Sequence, residues 1–283
     1  MERGFLIGKT FWQRALGPLS VCLSVMLPAT SATANSFEGL SWKIDQSFGT
    51  VGSQWREETS GGVIHVKESG ALAVATTAVT ASHPLIDVTL RYEQLVGDRR
   101  YQGVTNQGQN ATSSSDVKSG TLGMNLLKNV NSAWALGVAI DRVSMHRDIR
   151  STSMAVGYPE HYKYILGKVG VQHRLNFTPE LKLYTFVWLG RSFDESLLLR
   201  LPGFDPAQMS LGHGRTSELG WRLIKSFQDS RWQASLKLGY KKDQFKLGDA
   251  TTLFKGGRIA GSAHQPAWQH ALTHLSAEVS YGF

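Results

Sequence analysis

Among 283 residues there is one cysteine, Cys22, and it lies in an N-terminal stretch that reads as a removable leader. The rest of the chain therefore has no thiol, no disulfide and no thiolate metal site. Beyond the leader no apolar run reaches the roughly 20 residues that a transmembrane helix needs. That excludes a helical membrane protein and leaves a strand-built one open. The nine histidines show no metal-ligand spacing, since even His270 and His274 stand too far apart on a strand to share an ion. Gly8-Lys9-Thr10 lacks the upstream glycine of a phosphate loop and falls in the leader. Arg99-Arg100-Tyr101 is a lone basic cluster rather than a nucleic-acid stripe. No cofactor, no metal and no nucleic acid is expected.

The leader itself is well marked. Arg3, Lys9 and Arg14 precede an apolar stretch from Ala15 to Leu27, and Ala32-Thr33-Ala34 offers small residues for cleavage. We assign residues 1–34 to a cleaved signal peptide and 35–283 to one domain. The leader takes three of the 30 basic and one of the 22 acidic residues, so the remainder stays net positive. A basic surplus favours anionic partners, such as a solute or a glycan.

The last fourteen residues alternate with period two. Ala271, Thr273, Leu275, Ala277, Val279, Tyr281 and Phe283 make an apolar row, and His270, Leu272, His274, Ser276, Glu278 and Ser280 make a mostly polar one. The same alternation recurs along the chain between turn-rich breaks. Short breaks fall at 81–84, 130–132, 177–180 and 228–231, and longer ones at 97–117, 148–160, 194–213 and 248–269. Ten strands result, spanning about 41–57, 63–80, 85–97, 118–129, 133–147, 161–177, 180–193, 214–227, 231–247 and 270–283. Gly49, Gly52 and Gly70 leave room for breaks that would make twelve. Trp134, Trp232, Phe177, Phe227 and Phe283 sit beside the short turns, while Tyr92, Tyr164 and Tyr240 sit toward the long breaks. Two aromatic belts with alternating short and long connections imply an all-β, antiparallel, up-and-down transmembrane barrel in an outer membrane, with both termini periplasmic.

Parity assigns the faces. Trp232, Leu236 and Leu238, or Trp134, Leu136 and Ile140, point to lipid. Asp87, Arg91, Glu93, Asp141, Lys168, Arg174, Glu218, Arg222, Lys237, Lys241, Asp243 and His270 then point into a narrow, charged lumen. The seventh strand is apolar on both rows, and Arg191 is taken as its inward residue. His274, Ser276 and Glu278 share the inward face of the last strand and contain the residue types of a nucleophile–base–orienter set. The commoner role of such a row is packing, and the chain is expected not to be an enzyme.

The pattern resembles the outer-membrane β-barrel proteins of Gram-negative bacteria. By size and strand count the chain is similar to the omptins, which are ten-stranded outer-membrane proteases, and to the neisserial OpcA-type adhesins. The aspartate pair and Asp-x-His element of the omptins are missing, because no Asp-x-Asp or Asp-x-His occurs. His274-x-Ser276 resembles the His-x-Ser of outer-membrane lipid A deacylases, but on the luminal row. The OpcA-type likeness implies a basic outer cleft for anionic glycans, here near Arg99, Arg100, Arg147, Arg150 and Arg215. The resemblance also implies contact with lipid and lipopolysaccharide, and recognition by the barrel-assembly machinery through the strand ending at Phe283. Three functions are expected in order: a small channel or export component for an anionic solute or polysaccharide, a surface adhesin or ligand-binding barrel, and a hydrolase.

Overall fold

A computed structural model describes residues 39–283 except 60, 105–107, 154–155 and 229. The leader and its cleavage position lie outside the described residues. The strands are β1 (Ser41–Glu58), β2 (Ile64–His83), β3 (Ile86–Val104), β4 (Asn110–Asn129), β5 (Trp134–Ile149), β6 (Pro159–Asn176), β7 (Leu181–Leu199), β8 (Ala207–Ser210), β9 (Gly214–Ser226), β10 (Trp232–Phe245), β11 (Thr251–Lys255), β12 (Arg258–Ala263) and β13 (Ala267–Gly282). Ten of these form a closed antiparallel barrel in which each strand pairs with the next, β13 returns to β1, and β6 pairs with β7. β8 extends the edge of β7, and β11 with β12 forms a separate hairpin.

Local chemistry explains the tight connections. Asn131 accepts the backbone N–H groups of Ala133 and Trp134 on its side-chain oxygen at 2.9 and 2.8 Å, closing the β4–β5 turn. Thr178 does the same for Leu181 at 3.1 Å, and Ser230 for Trp232 at 3.0 Å. These turns lie at one end of the barrel with both ends of the described chain; the longer connections lie at the other. We call them the turn end and the loop end.

The glycines that left twelve strands open do not break β1 or β2. A side chain at Gly49 would collide with the backbone of Leu275 and Ser276, and one at Gly70 with the backbone of Asp98. These are points of close strand approach.

The strands are longer than expected. β2 and β4 have 20 residues each, about twice what a tilted membrane crossing takes. Much of the stretches 97–117 and 248–269, expected as loops, is strand. The extra length has inverted faces. In the turn half, Trp134, Leu136, Val138 and Ile140 of β5 are exposed while Asp141 is buried. In the loop half of the same strand, Arg142, Ser144, His146 and Asp148 are exposed while Val143, Met145 and Ile149 are buried. Leu122 and Met124 followed by Lys118, and Leu236, Leu238 and Tyr240 followed by Gln244, repeat the switch on β4 and β10. One half is thus a barrel for lipid outside and charge inside. The other is a barrel for water outside and an apolar core inside.

That core is contiguous. Val51, Trp55, Leu72, Val74, Leu95, Val117, Val143, Met145, Tyr162, Tyr164, Leu166, Leu197, Phe245, Trp268 and Leu272 are all buried and packed together. Nine of the ten barrel strands contribute, β9 being the exception. Phe245, Trp268 and Trp55 stack face to face with ring centroids 4.1 and 4.3 Å apart. The loop half of the lumen is filled.

Candidate functional site

Beneath the core, the turn half of the barrel encloses a chamber of about 740 Å³. Gly39, Trp42, His83, Pro84, Asn129, Arg231 and Phe283, from the turns and chain end, form its mouth. Of the thirteen charged residues assigned to the lumen, twelve point inward. Most of them interlock. Arg91 Nη2 lies 2.8 Å from Asp141 Oδ1, and Lys168 Nζ lies 2.7 Å from Asp141 Oδ2 and 3.5 Å from Glu218. Arg91 also faces Glu93 at 3.8 Å. Arg222 binds Glu278 and Asp45, Lys43 binds Asp45 at 2.9 Å, and Lys241 binds Asp243 at 3.2 Å. Alternating signs at contact distance stabilise charges that confinement would otherwise make costly.

Arg191 is the exception and corrects the parity assigned to β7. It is exposed on the outer wall with Val187, Leu189 and Phe193. The inward row of β7 is Tyr184, Phe186 and Trp188, and it is aromatic for a reason. The guanidinium of Arg174 lies 5.0 Å from the Tyr184 ring, Lys237 Nζ 5.5 Å from Phe186, and Lys168 Nζ 5.7 Å from Trp188. An apolar luminal row here faces cations, which is why both rows looked alike in sequence.

The three residues of the last strand do not assemble a catalytic set. Glu278 is held by Arg222, by Ser235 Oγ at 3.0 Å and by Ser280 Oγ at 3.3 Å. Ser276 is buried, and His274 faces the chamber. Among the described residues no hydrogen bond joins His274, Ser276 and Glu278 to one another. His270 instead contacts Ser53 Oγ at 3.0 Å and sits edge-on to Trp55 inside the core.

Sequence reasoning missed a second charged cluster, within the apolar core of the loop half. Arg147 is 1 % exposed and reaches three carboxylates: Glu57 and Glu160 at 2.6 Å each and Glu68 at 2.8 Å. Arg99 is fully buried, 3.1 Å from Glu68. Both guanidiniums lie over the Trp55 ring, at 5.1 and 5.3 Å. Trp55 Nε1 donates to Glu57 at 2.8 Å and the Tyr162 hydroxyl to Glu160 at 2.9 Å. Burial and the neighbouring Glu57 push the Glu160 carboxyl up to about 7, against the pull of Arg147. Arg99 and Arg147 were expected at an outer rim cleft; they are inside the wall, and only Arg100, Arg150 and Arg215 of that set are exposed. The signal was available, because Arg147 has the parity of Asp141, Val143 and Met145.

A closed ten-stranded barrel with an apolar outer band and a charged turn-half lumen has the architecture of an outer-membrane β-barrel. A solved structure that aligns along the barrel supports this fold. The outer-membrane protease OmpT from Escherichia coli aligns with a TM-score of 0.59 at 11% identity, over 88% of this chain and 98% of that one. The translocator domain of the autotransporter NalP from Neisseria meningitidis aligns at 0.41 and 11% identity, over 97% and 99%. Neisserial surface protein A aligns at 0.32 and 10% identity, over 87% and 98%. No family profile and no curated protein matches the chain.

Proposed function

We propose that this protein resides in the outer membrane of a Gram-negative bacterium, with its turn end in the periplasm, and acts as a closed, surface-binding barrel. The observation that carries this reading is the apolar core across the loop half, supplied by nine strands. Among the described residues the packed core around stacked Phe245, Trp268 and Trp55 fills the lumen here, which weighs against the small-channel expectation. The loop end presents the binding surface. The β11–β12 hairpin turns through Gly256 and Gly257, both at positive φ as a two-residue hairpin turn requires. It exposes Phe254, Lys255, Arg258 and Ile259 at its tip. Both carboxylate oxygens of Asp205 accept the glycine N–H groups, at 3.2 and 2.9 Å, and fix that tip. Basic and apolar groups on a braced hairpin suit an anionic glycan surface. Cells displaying the protein are expected to be retained on immobilised sulfated glycans, and cells in which residues 252–262 are replaced by Gly-Gly are expected to be lost from them. Equal retention of the two would contradict the reading.

A further inference from the structure

We infer that the turn-end chamber is a binding pocket for a small anionic solute, which it holds by carboxylate or phosphate oxygens on the row Arg174, Tyr184, Arg222 and Lys237. These four stand in direct register across adjacent strands: Arg174 opposite Tyr184, Tyr184 opposite Arg222, and Arg222 opposite Lys237. All four line the chamber. With strands about 4.8 Å apart, the row covers about 14 Å of wall.

The row has spare positive charge. Arg222 is matched by Glu278 and Asp45. Among the described residues no carboxylate lies within 4.0 Å of Arg174 or Lys237, though Lys43, Arg91, Lys168 and Arg222 in the chamber wall each have one. Each rests on an aromatic face instead, Arg174 on Tyr184 and Lys237 on Phe186. Arg174 Nε is buried without an acceptor. A guanidinium stacked on a ring keeps its N–H edges free, in the fork that matches a carboxylate or phosphate. Glu93 and Glu218 also line the chamber and bear on Lys237 without contacting it, so Arg174 is the anchor of the row and Lys237 its second cation.

Size and access agree with a pocket rather than a passage. The volume lies within the roughly 300–1,000 Å³ of small-molecule sites. The apolar core closes the far end, so a solute enters and leaves by the turn end alone. This pocket does not depend on what the loop end binds.

Calorimetric titration of the refolded full chain in detergent, with inorganic phosphate and succinate as separate probes, tests it. Saturable binding of at least one is expected, weakened at least tenfold in Arg174→Gln and in Lys237→Gln and unchanged in Arg191→Gln on the outer wall. Wild-type binding is expected to weaken between 50 and 500 mM salt, a readout that needs no variant. Absence of saturable binding of both probes, equal affinity in both luminal variants, or salt-independent binding would each overturn the inference.

Discussion

Two arginines three residues apart make the sharpest energetic contrast in the molecule. Arg147, near the end of β5, is buried against Glu57, Glu68 and Glu160. Arg150, just past that strand, is 48% exposed and pairs with Asp116 on the surface. Truncating Arg147 leaves three buried carboxylates with Arg99 alone, and Arg99 contacts only Glu68. Deleting one partner of a buried ionic set costs about 3–5 kcal/mol, because the remaining charges stay desolvated. Truncating Arg150 removes a solvated pair worth about 0.2–1 kcal/mol. Urea unfolding in lipid vesicles, followed by tryptophan fluorescence, measures both. Arg147→Ala is expected to cost several times what Arg150→Ala costs. A cost below about 1 kcal/mol for Arg147→Ala, or equal costs, would refute the buried cluster.

Three further predictions follow from the same geometry. The folded state holds the Glu160 proton more tightly than the unfolded chain does, so this stabilisation is complete below about pH 4.5 and lost as the pH rises through 7. The Glu160 contribution is therefore expected to grow from pH 8 to 5, by at most about 3 kcal/mol at 1.36 kcal/mol per unit. It is read as the difference between the wild type and Glu160→Gln in unfolding measured across the range, because the buried His270 imidazole, held well below its usual value, works in the opposite sense. For Glu68, burial raises the carboxyl but Arg147 and Arg99 outweigh it and hold it below its usual range, so stability turns down again under pH 4.5. On β5, Ile140→Arg on the lipid band should cost about 2–4 kcal/mol in vesicle unfolding, whereas Ser144→Arg, four residues on and outside the band, should stay within about 0.5 kcal/mol. Asp205→Ala frees the Gly256–Gly257 turn and should speed tryptic cleavage after Lys255 and Arg258 severalfold, read by mass spectrometry of the fragments.

The turn half of the barrel is plain in the sequence. There the outward rows are mostly apolar, Trp134, Trp232, Phe177, Phe227 and Phe283 mark the turn edge and Tyr92 and Tyr240 the other edge, and Asn131, Thr178 and Ser230 punctuate the turns; Tyr164, expected in the second belt, is buried in the core instead. The loop half kept the period but exchanged the faces. Ser144 and His146 outside with Val143 and Met145 inside is good alternation, yet segments such as 110–118, rich in Ser, Thr and Asp, read as loop because polar residues were expected only inside or between strands. The chamber residues were found by parity alone, since charge beside an apolar row has one place to go. Arg191 was misplaced because Tyr184, Phe186 and Trp188 give β7 two apolar rows. Arg99 and Arg147 were misplaced because the segments around them were read as loop or rim; Glu160 faces Arg147 on the next strand, and Glu57 and Glu68 reach it from strands that are not its neighbours.

The central claim is that the apolar core seals the loop half of this barrel, and conductance across a planar lipid bilayer tests it most directly. Reconstituted wild-type protein is expected to give no discrete conductance steps. Loss of the stacked aromatics in a Trp55→Ala, Phe245→Ala, Trp268→Ala variant is expected to introduce them. Regular steps from the wild-type barrel, with the anion preference of a basic lumen, would contradict the seal and return the protein to the channels.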